Sequence, residues 1–248
     1  MNPDRFADSA GVPWEGREFT NNSFAGDDGS APQAIAMALS QSPADKEELF
    51  AALESSRLLV PLLAELGDSE IGPFGKVVDK SAELSVVAVA TPDGQTALPA
   101  FTSVEQMSLW NKNARPVPID ARRVALAAIG EGHSRVILDP AGKSIGLRRP
   151  FLASLAQQKK WLAPHQHNSV AELVRDAAMR NQIPGFALHD GDPYSNLRSA
   201  ELVIELQIQP GLSKAALDQL LAKFTADLQS RQFLELVDSI AYRIVSAS

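Results

Sequence analysis

The chain has 248 residues, of which 45% are hydrophobic and 21% charged, as is typical of a globular protein with one large or two small domains. Its 23 basic and 30 acidic residues give a net charge of −7, which argues against a protein that as a whole coats nucleic acid or membranes. Cysteine is absent, which excludes disulfides, thiol nucleophiles and cysteine metal ligands. The sequence begins without the features of a signal peptide and contains no apolar run near the ~20 residues that span a bilayer, so we expect a cytoplasmic protein.

Residues 1–30 are rich in Gly, Asn, Ser and Asp and have no helical or strand period. They nevertheless contain four aromatic residues, Phe6, Trp14, Phe19 and Phe24. Disordered segments usually lack aromatics, so we predict an arm whose rings dock on the body of the protein or, in a homodimer, on a second subunit. A disordered tail is the alternative.

A short helix over 32–40 completes this first unit, residues 1–40. The pair Ser42-Pro43 places a capping residue before a proline and predicts a helix over 43–56. The apolar segment 57–64 is compatible with a strand. Because Pro61 has no N–H to donate, we predict an edge or bulged strand.

Turn and capping signals place the other elements of a module over 41–162. Pro92-Asp93-Gly94 predicts a hairpin between 84–90 and 96–101. Ser103 and Gln106 form a capping box that predicts a helix over 104–111. The other predicted elements are an extended segment 115–118, a helix 121–130 capped by Asp120, a strand 135–139 and a helix 150–159.

The pattern breaks at 160–168, which predicts a boundary before a smaller module over 168–248. Its predicted elements are a helix 170–181 opened by Ser169 and Glu172, a strand 185–189, an alternating strand 201–209, a helix from 214 to about 232 capped by Ser213, and a strand 240–245. The last two strands with the helix between them form a crossover unit, which should be right-handed if the two strands are parallel neighbours. The predicted class is α+β, with a mixed-sheet N-terminal module, flanking helices and a smaller C-terminal α/β module.

Several segments resemble the bacterial SseB family, which is named for an enhanced serine sensitivity phenotype. They are Asp8–Phe19, Arg57–Pro61, Ala97–Ser103, Trp110 with Ala114–Pro118, and Ile137–Pro140. The resemblance covers about residues 8–160 and implies a two-part α+β protein of the cytoplasm without an established biochemical activity. An unrelated secreted translocon protein has the same label, and we expect no role in type III secretion.

Gly142-Lys143-Ser144-Ile145-Gly146 matches the G-x-S-x-G elbow, which exposes the nucleophile of α/β hydrolases between a strand and a helix. Extra residues separate Ser144 from the predicted strand and helix, so an ordinary turn is the favoured interpretation. The same stretch ends like a phosphate-binding loop, but Ile137 occupies the position of the first glycine. We therefore expect neither a serine hydrolase nor a nucleotide hydrolase.

A zinc site could be drawn from His165, His167 and His189 with the neighbouring Asp190 and Asp192. Isolated histidines and aspartates in loops more often solvate the chain or form turns, and Asp-Gly is itself a turn signal. We expect no metal and no cofactor.

The charge distribution is the most unusual feature of the sequence. Residues 115–160 contain nine basic and three acidic residues, a net charge of +6, whereas the other residues contain 14 basic and 27 acidic ones, a net charge of −13. This segment either recruits an anionic partner or pairs with the acidic remainder of the same molecule. Few aromatics accompany the basic residues, which argues against nucleic acid.

Five arginines in this segment are the predicted binding residues: Arg115, Arg122, Arg123, Arg148 and Arg149. Arg122 and Arg123 fall in the first turn of one predicted helix, where positive charge opposes the macrodipole, and Arg148 and Arg149 lie near the start of the next. We predict that the two pairs converge on one exposed face that binds an acidic protein segment or a small anion.

The sequence thus predicts a non-catalytic interaction or regulatory protein that binds neither nucleic acid nor membranes. The alternative is a sensor or enzyme for an amino-acid-type metabolite, which would use the cleft between the two modules, where pockets tend to form.

Overall fold

Helices and mixed sheets alternate along the chain, which confirms the predicted α+β class. The computed structural model describes residues 24, 26–64, 70–71, 77–78, 84–85 and 87–247. The prediction of a docked arm, with Phe6, Trp14 and Phe19, lies outside the described residues.

The described elements fall into a longer part before residue 160 and a shorter part after it. The helices of the first part are α1 (Gln33–Ala38), α2 (Lys46–Glu54), α3 (Val104–Trp110), α4 (Ala121–Gly130) and α5 (Arg149–Gln157). Its strands are β1 (Arg57–Ala64), β2 (Glu70–Ile71), β3 (Val77–Val78), β4 (Leu84–Ser85), β5 (Val89–Ala90), β6 (Thr96–Ala100), β7 (Arg115–Asp120), β8 (Arg135–Leu138) and β9 (Ile145–Arg148). A 3-10 turn (Pro164–Gln166) leads to α6 (Asn168–Arg180), β10 (Gly185–Asp190), β11 (Leu202–Ile208), α7 (Lys214–Leu228), α8 (Arg231–Leu236) and β12 (Ile240–Ser246).

The largest sheet has the strand order β5-β6-β8-β9. β6 and β8 are parallel, and the two outer pairs are antiparallel. All residues of β8 and β9 are buried. Val136, Leu138, Ile145 and Leu147 form one core with α1, α2, α4 and α5, whereas Ile137 packs against Ala97 and Leu197. The hairpin prediction is confirmed for β5 and β6, whereas the Leu84-Ser85 segment pairs with β1 instead.

Strand β1 is the middle strand of the sheet β4-β1-β7, so its prediction as an edge strand is wrong. Leu59 exchanges both of its backbone hydrogen bonds with Phe101, at the end of β6. Peptide groups two residues apart point to the same side of a strand. The nitrogen of Pro61, which has no hydrogen to donate, therefore points to the side on which β1 pairs with Phe101 and with β4, at a position between these two pairings. Pro116 and Pro118 lie opposite Pro61 and Leu59, so they direct their missing donors to the open edge of β7.

The C-terminal sheet, β10-β11-β12, has its own apolar core with α6, α7 and α8. β11 and β12 are parallel neighbours, which meets the condition for the predicted crossover unit, and the right-handed connection stays a prediction. The predicted long helix is wrong at its end, because α7 ends at Leu228 and Ser230 caps a separate helix, α8. The two cores indicate two packing units, and the predicted domain boundaries stay a prediction.

Side-chain caps lie at the start of helices α2, α3, α6 and α7. Ser103 accepts from the Gln106 N–H and Ser213 from the Ala216 N–H, as predicted. Asp45 caps α2, so this helix begins after the predicted Ser42-Pro43 start. The ring of His167 caps α6 in place of Ser169. None of the described helices is both long and apolar enough to span a lipid bilayer.

Candidate functional site

The largest cluster of buried charge lies where the β8-β9 edge meets the C-terminal sheet. Arg135 and Arg148 form a cross-strand pair on β8 and β9, and both side chains are more than nine-tenths buried. The two Nη atoms of Arg135 donate to the carboxylate of Asp238 at 2.8 and 2.7 Å. Arg148 Nη1 donates to the same carboxylate at 3.1 Å. A single acidic group from the turn before β12 therefore neutralises much of the charge of two facing arginines.

Arg148 has several partners beyond Asp238. Its Nη2 donates to Asp192 at 2.7 Å and to the Ser199 carbonyl at 2.6 Å, while Nη1 donates to Ser239 Oγ at 3.0 Å. Burial alone would lower the pKa of Arg148, but the hydrogen bond to Asp192 and the charges of Glu201, Asp192 and Asp238 raise that pKa overall. The guanidinium is therefore fully charged, and its charge is paired with carboxylates of the same chain.

The loop between β10 and β11 is built around Asp192. Its carboxylate accepts from the backbone N–H groups of Asn196 and Leu197 as well as from Arg148. Leu197 is buried in the left-handed region at φ 59°, a costly conformation for a branched side chain. Its side chain packs over Gly146, whose N–H donates to the Ser195 carbonyl at 2.6 Å. The loop is thus fixed against the edge of β9.

Glu201 precedes β11 and is almost completely buried beside the same cluster. Its Oε2 accepts from the Asp238 N–H at 2.7 Å. Burial raises the pKa of Glu201 to about 7, and the charge of Asp238 adds to this rise, although Arg148 and Lys46 oppose it. Glu201 lines a cavity of about 30 Å³ with Trp161, whose indole N–H has no partner among the described residues. That volume admits roughly one or two water molecules.

An open pocket of about 440 Å³ adjoins the other side of the cluster. Arg135 and Arg148 line it together with Arg198. Asp93 binds Arg135 Nε at 2.9 Å, so the two buried arginines are already neutralised by carboxylates. Arg198 is exposed and forms no ion pair with the described residues.

The structure does not bring the predicted arginines together on one exposed face. Arg148 is buried in the ion pairs described above, so its predicted exposure is wrong. The Arg122 guanidinium contacts the side chain of Gln158, which places the start of α4 beside the end of α5. Arg149 is the first residue of α5, so the two helix N-termini lie at opposite ends of the packed pair. The predicted convergence fails for two reasons: the end of β9, with Arg148, is buried, and α4 and α5 pack antiparallel.

The other predicted binding residues lie near the surface at separate places. Arg115 is exposed at the start of β7, opposite Leu62. Arg149 is exposed and donates to the Leu234 carbonyl. Arg123 is 77% exposed and pairs with Asp120 at 3.6 Å, a surface pair that contributes little stability. Ligand binding by these residues stays a prediction.

One exposed surface combines cations with apolar side chains. We call the four residues Arg122, Arg123, Leu126 and Ile129 the α4 face. Leu126 is 54% exposed and Ile129 is 41% exposed, although both are large and apolar. A pocket of about 390 Å³ adjoins the N-terminal part of this face and is lined by Arg122, Arg123 and Leu126 together with Glu54 and Asp120.

The other sequence motifs have local structural roles. Ser144 lies in the turn between β8 and β9, where its N–H donates to the Asp139 carbonyl at 3.1 Å. His167 accepts from the Ser169 N–H, whereas His189 lies on the C-terminal sheet, 3.3 Å from Glu205. Among the described residues, no three His, Asp or Glu side chains are arranged as metal ligands.

Sequence reasoning missed the acidic half of the charge cluster. The sequence indicates Asp192 only as a possible zinc ligand, and Asp238 and Glu201 flank strands without any motif. A usable signal was Arg135 at the start of an otherwise apolar strand, since a buried cation requires a buried anion. The sequence does not indicate which anion that is, because the partners lie about 40 to 100 residues away along the chain.

Comparison with known families gives one match. Residues 33–154 match the family model of the SseB protein N-terminal domain. The matched region includes α1 to β9, with Arg135, Arg148 and the α4 face, and ends inside α5. No curated protein and no solved structure matches the chain.

Proposed function

We propose that this member of the SseB family, to which residues 33–154 assign it, is a non-catalytic interaction or regulatory protein of the cytoplasm. We further propose that its α4 face binds an acidic, amphipathic protein segment. The observation behind the proposal is the contrast between two sets of arginines. Arg135 and Arg148 are neutralised by buried carboxylates, whereas Arg123 extends into solvent beside exposed apolar residues.

Charge complementarity argues for an acidic partner. The α4 face has two arginines; Asp120 pairs with Arg123, and Glu54 lines the same pocket as both arginines. Exposed ion pairs are readily exchanged for pairs with another protein because they gain little in water. A carboxylate-rich segment would therefore meet the exposed Arg123 and, next to it, the half-buried Arg122, whose guanidinium contacts Gln158. A bidentate pair with arginine would fix the orientation of the segment.

The spacing of the α4 face argues for an amphipathic segment. Arg122, Leu126 and Ile129 follow one another at intervals of four and three residues, so they form one stripe along the helix. The stripe extends over about 10 Å at 1.5 Å per residue. A partner helix with two apolar residues one turn apart, followed by an acidic turn over Arg122, would match it.

The proposal is tested by a photo-cross-linking amino acid at Leu126 of the full chain in its native cells. The matched control carries the same amino acid at Met179, which is 64% exposed on α6. We expect a cross-link from position 126 to an acidic segment of another protein, and its loss when Arg122→Glu and Arg123→Glu are added. The matched charge reversal on α7, Lys214→Glu with Lys223→Glu, should leave the cross-link intact.

Three results would contradict the proposal. These are a cross-link to residues of the same chain, a cross-link to a second copy, and a cross-linked segment without net negative charge. Persistence of the cross-link in the Arg122→Glu, Arg123→Glu variant would also contradict it, since the charge argument requires those arginines.

A metabolite-binding role is the second candidate, and the open pocket of about 440 Å³ favours it. Arg198 and Ser239 line this pocket with donors that a small carboxylate could use. Native mass spectrometry of the protein from its own cells tests this role. A bound small molecule that is lost in Arg198→Ala, but kept in Lys223→Ala, would support it. If the Lys223→Ala variant carries no bound metabolite, like Arg198→Ala, the result would oppose this role.

A further inference from the structure

We infer that the carboxyl group of Glu201 is a proton-operated latch, which keeps the C-terminal sheet docked on the SseB domain while it is neutral and loosens this docking when it ionises. The inference is independent of the proposed function, because none of its residues belongs to the α4 face. It rests on the position of Glu201 among the groups that bind Arg135 and Arg148.

Glu201 organises both segments that supply acceptors to the two arginines. Its carbonyl accepts from the Gly191 N–H at 3.0 Å, at the start of the loop that contains Asp192. Its N–H donates to Ser239 Oγ at 3.1 Å, and its carboxyl accepts from the Asp238 N–H at 2.7 Å. A displacement of Glu201 therefore moves both groups of Arg148 partners, Asp192 in the loop before β11 and Asp238 with Ser239 before β12.

In the part of the chain that the structure describes, the cations that face Glu201 are already paired with other carboxylates. On the side of the SseB domain these are Arg148 on β9 and Lys46 at the start of α2. Arg148 already binds Asp192 and Asp238, and Lys46 binds Asp190 at 2.7 Å. On the side of the C-terminal sheet the facing charged groups are the carboxylates of Asp238 and Asp192. Ionised Glu201 would therefore add negative charge to a region where the cations are already paired.

The hydrogen bonds of Glu201 also favour its neutral form over its ionised form. The Asp238 N–H is the hydrogen-bond donor to the Glu201 carboxyl among the described residues, and it binds Oε2. The other oxygen of Glu201, Oε1, accepts no hydrogen bond from them. A buried carboxylate with one hydrogen-bond donor is poorly stabilised, whereas a neutral carboxyl group needs fewer donors. Desolvation accordingly raises the pKa of Glu201 from 4.5 to about 7.

The direction of the pH effect follows from the raised pKa of Glu201 in the docked state. Below pH 4.5 the carboxyl is neutral in both the docked and the opened states, so docking is strongest there. Between pH 4.5 and about 7 the opened state releases the proton while the docked state keeps it, so docking weakens as the pH increases. Above about 7 both states are ionised and the loss is complete.

The experiment is hydrogen exchange of the full chain between about pH 5.5 and about pH 8, corrected for intrinsic amide rates. The reporters are the amides of Gly146, Leu197 and Asp238, which donate across or beside the junction. We expect their corrected exchange to become about tenfold faster over this range in the wild type. Glu201→Gln should remain protected throughout, and Glu205→Gln, on the adjoining strand β11, should behave like the wild type.

Identical pH dependence in Glu201→Gln and the wild type would overturn the latch, as would pH-independent protection of the wild type. If Glu201→Gln fails to fold, carbon NMR of the side-chain carboxyl in the wild type provides the second measurement. The midpoint of the Glu201 titration must then coincide with the midpoint of the loss of amide protection. Different midpoints would also overturn the latch.

Discussion

Arg135 and Arg148 lie directly opposite each other on neighbouring antiparallel strands, and both bind the carboxylate of Asp238. Like charges at facing positions of a sheet repel each other, so this pair depends on an anion placed between the two guanidinium groups. Asp238 lies outside the region that matches the SseB N-terminal domain. The outer edge of that domain is therefore neutralised by a more C-terminal part of the chain.

The first prediction concerns this anion. Asp238→Asn removes its charge at nearly constant volume and leaves two buried arginines undercompensated. We expect the free energy of unfolding to fall by about 3–5 kcal/mol, as when one partner of a buried ion pair is lost. Urea denaturation measures this loss. Glu235→Gln, which breaks an exposed pair with Arg231, is the control and should leave the midpoint unchanged; equal midpoints for both variants would contradict the prediction.

The second prediction concerns the contact between Gly146 and the loop before β11. A Cβ atom at residue 146 would lie 2.3 to 2.8 Å from three atoms of the Leu197 side chain. Gly146→Ala should therefore displace the loop and lower the free energy of unfolding by about 1–3 kcal/mol. Gly130→Ala is the control, because a Cβ there meets no atom within 4 Å. Denaturation curves that are superimposable for the two variants would refute the steric argument.

The third prediction concerns acid. Asp27 binds Arg57 Nη2 at 2.9 Å and accepts from the Gly29 N–H at 2.7 Å. The hydrogen bond from Arg57 holds the pKa of Asp27 below its ordinary value of 3.8, although burial opposes this. The stabilisation is therefore present above pH 3.8 and is lost as the pH falls through the lowered pKa.

Amide NMR of Gly29, whose N–H donates to Asp27, measures this loss during an acid titration, and we expect its signal to move at the lowered pKa. Asp27→Asn should abolish the acid transition, whereas Asp218→Asn, at an exposed position on α7, should leave it in place. An unchanged transition in Asp27→Asn would show that another group controls this segment.

The fourth prediction concerns Ser144. Its backbone lies in the left-handed region at φ 54°, inside a turn closed by hydrogen bonds to the Asp139 carbonyl. An activated serine needs a general base within hydrogen-bond reach, and the hydrogen bonds of the described residues give Ser144 none. A fluorophosphonate probe should not label the protein. Stoichiometric labelling that disappears in Ser144→Ala would restore the hydrolase interpretation.

Local signals in the sequence predicted the parts of the fold that depend on neighbouring residues. Ser103 and Ser213 cap helices as predicted, since a cap acts on a backbone N–H three residues away. The end of α7 could not be predicted in the same way, because the apolar period continues into α8 past Leu228. The position of β1 was mispredicted because Pro61 restricts a strand only on the side to which its nitrogen points.

Taken alone, the sequence determined the α+β class, the SseB resemblance and the concentration of positive charge in residues 115–160. These properties follow from composition and short-range periodicity, which each residue contributes independently of its distant partners. Only the tertiary structure decided which arginines are available. Arg148 is buried because β9 presents it to Asp192 and Asp238, while Arg123 is exposed because the apolar face of α4 turns the opposite way. Burial depends on contacts between residues distant in the chain, and charge alone does not encode them.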